Sequence, residues 1–152
     1  MTTKKVSYLL IALFLFALNV SSQTDPPPPP MAMPPDSSVI LVDKIIEITK
    51  HEKYFIDYCT KKVKNHSKEN GWTQEKTDKI LKSIKFEYYN STIYNSYAFY
   101  SIDQLKSLLD ALTLLNKDTK GGMPMILTNS MMQSNLELFA DNVIKGEYVP
   151  TK

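Results

Sequence analysis

From residue 38 onward, apolar side chains recur at intervals of three and four rather than two, which is the period of helix. Ser37 or Ser38 is placed to cap a first helix carrying Val39, Val42, Ile45, Ile46 and Thr49, with Leu41 and Ile48 widening the stripe, up to an end or kink near His51. A second segment sets Phe55, Tyr58, Cys59 and Val63 on one side and stops at Asn70-Gly71, where glycine permits a left-handed cap. Trp72 and Thr73 open a third helix through Ile80, Leu81, Ile84 and Tyr88, with an aromatic far end extending toward Tyr97. The sharpest start is Tyr100-Ser101-Ile102-Asp103-Gln104-Leu105. Ser101 and Gln104 are spaced for a capping box, and Tyr100 is placed to staple onto Leu105. Leu105, Leu108, Leu109, Leu112 and Leu115 then give one broad apolar face. Asn116 to Gly122 breaks it, Pro124 suits the first turn of a last helix, and Met125, Met132, Leu136, Phe139, Ala140 and Val143 mark that helix's buried side up to Gly146. No strand-like alternation of useful length competes. The expected class is all-α, a small bundle of four or five helices.

The pattern before residue 37 is different. Lys4 and Lys5 precede an almost unbroken apolar run from Val6 to Val20, and Val20 and Ser22 fit the small-residue positions of a signal peptidase site. The run is about 15 residues, short of the roughly 20 that span a bilayer, so residues 1–22 read as a signal peptide in preference to a retained anchor. No cysteine stands near the cleavage point to carry a lipid. Residues 23–36 hold seven prolines and no apolar face, which makes them a stiff extended linker of about 3.1 Å per residue. The organisation expected is therefore a leader over 1–22, a Pro-rich linker over 23–36, a helical domain over 37–149 and a tail over 150–152. Such a chain is exported, periplasmic or secreted, with no integral membrane segment once the leader is removed.

Charge narrows the function classes. The chain has 18 basic and 16 acidic residues, and removing Lys4 and Lys5 with the leader balances the two. That leaves no general footprint for nucleic acid. Every basic residue is lysine, and without arginine the usual bidentate recognition of phosphate is missing. The lysines are unevenly placed, with ten between Lys50 and Lys85 against five acids. They read either as a solvated helix face or as a surface for an acidic partner or anionic envelope surface. Cys59, the single cysteine, precludes an internal disulfide and reads as a buried free thiol.

The stretch from Asn90 to Val149 resembles a known family. Its aromatic and capped start at Tyr100-Ser101-Ile102-Asp103-Gln104-Leu105, Leu-rich helix, glycine break at Gly121-Gly122, and Met123-Pro124 before Met131, Met132 and Gln133 follow that family's order. The family is an uncharacterised secreted bacterial one, the domain-of-unknown-function family numbered two thousand and fifty-nine. The resemblance implies export from a Gram-negative cell and a helical fold. It implies no activity and no catalytic residue.

Residues with chemistry are sparse. His51 and His66 are the only histidines. Cys59 and His66 would lie about 10.5 Å apart along one helix axis, too far to share a metal. Glu47 and His51 have the i, i+4 spacing of a zinc pair but lack further ligands. The methionines at 123, 125, 131 and 132 suit core filling better than copper(I). No catalytic, cofactor or metal site is expected. The candidate interaction surface comprises Lys61, Lys62, Lys64, Lys68, Tyr94 and Tyr97, the tyrosines belonging to an aromatic cluster that also serves as helix packing. The function expected is a non-catalytic interaction module with a protein partner in the envelope. A helical carrier of a small apolar ligand is the alternative, and an enzyme of unrecognised type the third.

Overall fold

Helix begins at Asp36, immediately after Pro35, in the computed structural model of the protein, which describes residues 33–117 and 124–149. The expected leader, the prolines at 26–30, the glycine pair and the terminal tail lie outside the described residues. Among these, six α-helices occur and no strand: α1 (Asp36–Thr49), α2 (His51–Glu69), α3 (Gln74–Leu81), α4 (Asn90–Tyr97), α5 (Ile102–Asn116) and α6 (Ser130–Lys145), with a 3-10 turn at Phe86–Tyr88. The all-α class holds. The helices outnumber the four or five expected because the anticipated third one is broken.

The breaks follow from local chemistry. Pro35 precedes α1 without a side-chain cap, and Ser38, one of the two expected caps, is buried inside the helix. Lys50, with φ 51° and ψ 43°, ends α1 in the left-handed region, and the chain restarts as α2 at the next residue. Gly71, at φ 60°, closes α2, where the Trp72 N–H reaches back to the Ser67 carbonyl at 3.0 Å. Thr73 caps α3 by accepting from the Lys76 N–H. After Leu81 the buried Ser83 hydroxyl donates to the Ile80 carbonyl at 2.7 Å, and the chain turns so that Phe86 and Tyr89 both reach Phe55. That turn divides the expected third helix.

α5 opens with the capping box. Gln104 N–H donates to Ser101 Oγ at 3.2 Å, and Ser101 N–H donates to Gln104 Oε1 at 2.8 Å. Tyr100 sets its ring edge against Tyr97. Ser101→Ala is expected to cost about 1 kcal/mol, Gln104→Ala less, and the double variant less than their sum, because each side chain holds the same turn. Denaturant titration measures all three. A Ser101→Ala protein as stable as the parent would refute the cap.

Pro124 does not open the last helix. Residues 124–129 are non-helical, held by the Asn116 side chain, whose Oδ1 accepts from Met125 N–H at 2.7 Å and whose Nδ2 donates to the Met125 carbonyl at 3.2 Å. Asn129 caps α6 instead, accepting from Met132 N–H, and Gly146 at φ 86° ends it.

α5 lies chiefly against α1, α6 packs against α2 and α4, and α3 against α2. The core runs through Val42, Ile45, Phe55, Ile93, Leu105, Leu112, Leu136, Phe139 and Val143. Phe55 stands at its centre, stacked on Tyr89 at 5.0 Å and set against Phe86 and Phe139 at 5.6 and 5.1 Å. Because α5 has one main neighbour, only Leu105 and Leu112 of its leucine face are fully buried, and Leu115 remains exposed. Met125 and Met131 are exposed as well, so among the described residues Met132 is the methionine that fills the core, and Met123 lies outside them.

Candidate functional site

The outward side of α2 follows from its inward one. Phe55, Cys59 and Val63 face the core at spacings of four, which puts Lys61, Lys64 and Lys68, at spacings of three and four, on the opposite face. All three ammonium-bearing side chains are exposed and form no ion pair among the described residues. Nearer the start of the helix the same face is mixed, since Lys53 pairs with Asp57 at 2.5 Å. Positive charge toward the C-terminal end of α2 is also favoured by the helix dipole. Lys62 departs from this face and lies over the Tyr58 ring, 5.8 Å from its centroid.

Lys64 and Lys68 line an open cleft between α2 and α3, of about 610 Å³, whose other wall includes Trp72 and Gln74. Its floor is fixed by a 2.6 Å hydrogen bond between the hydroxyls of Ser67 and Thr77. Trp72 sits with its ring against the His66 edge, and Lys76 Nζ stands 4.0 Å above its indole. Trp72 and Lys76 were missed in the sequence reading. Their i, i+4 spacing across the start of α3 was the available signal.

The two tyrosines of the expected surface are not part of this face. Tyr97 is 5% exposed, its hydroxyl pushed up to about 12 by burial and by nearby Tyr100. Tyr94 is half-buried and donates to the Asp43 carboxylate, tying α4 to α1; that bond, then burial, raises its pKa to about 12. Helix packing claims both side chains.

The titratable groups that chemistry would need are dispersed. Cys59 is a buried free thiol, raised to about 12 by burial and therefore protonated at neutral pH. His51 is 3% exposed and lowered to about 4 by burial. Thr49 Oγ1 donates to the Ile45 carbonyl at 2.5 Å, so its lone pair receives Nδ1–H of His51 at 2.5 Å, and Nε2 is left without a partner among the described residues. The left-handed Lys50 removes Glu47 and His51 from a common helix, and Glu47 is exposed where His51 is buried, so the possible zinc pair dissolves. Among the described residues no three His, Cys, Asp or Glu side chains come together as metal ligands. No described helix is long and apolar enough to cross a membrane.

No family model matches the chain, and no curated protein or solved structure matches it.

Proposed function

We propose that the protein is an exported, non-catalytic helical module that works by binding another component of the cell envelope through the lysine face of α2. The observation that carries this reading is the set Lys61, Lys64 and Lys68, exposed and without ion-pair partners among the described residues, the last two lining the Trp72 cleft. Unpaired charge is retained at the cost of mutual repulsion, which a complementary surface relieves. The leader-like residues 1–22 and the linker over 23–36 support a place outside the cytoplasm, periplasmic or secreted. Membership of the secreted family named above is part of the same proposal. Its capped start and Leu-rich helix correspond to α5, although Asn129, rather than Pro124, starts the helix that follows.

The carrier alternative calls for a cavity of ligand size lined by tyrosine and methionine. A cleft with Tyr88, Tyr89, Phe139 and Tyr148 in its walls measures about 140 Å³. Sites for small organic ligands usually begin near ~300 Å³, and the roomier clefts beside Trp72 and between α1 and α2 are open and carry neither tyrosine nor methionine in their walls, so neither kind supports the carrier.

Two measurements test the proposal. Intact mass of the protein from its native host is expected to give a chain beginning at Gln23, and a full-length membrane-embedded species would defeat export. Binding of the purified protein to isolated envelopes is expected to fall at least about tenfold in a Lys61→Gln/Lys64→Gln/Lys68→Gln variant that keeps its helical circular dichroism spectrum. Undiminished binding would remove the lysine face from the account.

A further inference from the structure

Between Lys61 and Lys82 the chain carries seven lysines and three acids, a net charge of +4, and none of the seven is ion-paired among the described residues. Packing of α3 on α2 draws this charge together. Lys64 and Lys68 reach the cleft from α2, Trp72 stands in its wall, and Lys76 covers the indole from α3. Two lysines thus share a cleft with the half-buried Trp72 and a third stands over its ring, with Lys61 one turn nearer the start of α2 on the same face. The acids nearby are Glu69, Glu75 and Asp78; Asp78 also lines the cleft and accepts from Gln74 Nε2 at 2.8 Å.

We propose that this pole docks peripherally on a bilayer containing anionic phospholipid, with the lysines among the headgroup phosphates and Trp72 at the interface. The inference rests on the lysine-face reading above and names its partner. Charge complementarity selects an anionic surface. The residue type suits a diffuse one: lysine is a flexible point charge that needs no bidentate geometry, and this chain lacks the planar fork of arginine that fixed, directional recognition of carboxylate or phosphate favours. The cleft is open, and beside Lys64, Lys68, Gln74 and Asp78 its apolar lining is limited to Trp72 and Leu81, too little to enclose a peptide side chain. Tryptophan, apolar with a polar N–H, is the residue that settles at headgroup level.

Trp72 is the only tryptophan, so its emission reports this pole and is blind to insertion of the apolar stretch at 6–20. The full chain is titrated with vesicles of phosphatidylcholine alone and with vesicles containing about one-third phosphatidylglycerol, at low and high salt. A blue shift of Trp72 emission is expected with the anionic vesicles at low salt only. Each lysine replaced is expected to weaken partitioning about fivefold, so Lys61→Gln/Lys64→Gln/Lys68→Gln/Lys76→Gln loses roughly a hundredfold or more. If that variant loses its helical spectrum, Lys64→Gln alone carries the test, at about fivefold. No Trp72 response to anionic vesicles, an equal response to zwitterionic ones, or partitioning indifferent to the substitutions would overturn the proposal. Binding to soluble poly-glutamate without any vesicle response would do the same in favour of an acidic protein. Envelope binding that persists without a vesicle response would reject the lipid while leaving the interaction module standing.

Discussion

Replacing Phe55 with alanine is expected to destabilise the protein by about 4 kcal/mol, the largest effect of any single substitution considered. The ring is 1% exposed and meets three other aromatic rings with centroids 5.0 to 5.6 Å away. These come from the 3-10 turn, from Tyr89 and from α6, so the substitution loosens several elements at once. The loss combines the transfer of a large apolar side chain with a void that the surrounding rings, held on separate elements, prevent from collapsing. Phe55→Leu, which retains most of the volume, is expected to cost about half as much. Urea titration followed by far-UV circular dichroism checks both. Similar stabilities for the two variants would show that the void relaxes and that Phe55 is not the centre of the core.

The second expectation is a fall in stability of about 2 kcal/mol between pH 7 and pH 5, traceable to His51. Its pKa is about 4 in the fold against 6.5 for a free imidazole, because burial disfavours the charged ring. A proton added at Nε2 would find no acceptor among the described residues. Between those two values the unfolded chain binds a proton that the native state does not. The contribution is therefore present above pH 6.5 and lost as pH falls through that window toward the folded pKa. In His51→Gln the change over the same interval is expected to shrink to what the carboxylates alone supply. Should that variant fold poorly, the NMR titration of His51 in the native protein is decisive, and a midpoint near 6.5 would refute the buried neutral ring.

Local chemistry was legible in the sequence because it is settled within four or five residues. Ser101 and Gln104 satisfy each other across one turn, Gly71 and Gly146 adopt the left-handed conformation that ends a helix, and Thr73 accepts from an amide three residues on. The all-α class follows from the three-and-four period of the apolar side chains, and the outward position of Lys61, Lys64 and Lys68 from their offset against Phe55, Cys59 and Val63. Burial required the tertiary structure. Periodicity says which side of a helix is apolar, but only the number of neighbours says how much of it is covered, and α5 with one main neighbour leaves Leu115 in solvent. The same holds for Tyr97, drawn inside among residues distant in the chain, and for the aromatic stretch after Leu81, which bends so that Phe86 and Tyr89 can reach Phe55. The basic pole joins both levels: its lysines are written in the sequence of α2, and the Lys76 contact to Trp72 in their i, i+4 spacing, but bringing Lys64 and Lys68 to the Trp72 cleft depends on α3 folding back on α2, a packing choice that no local pattern specifies.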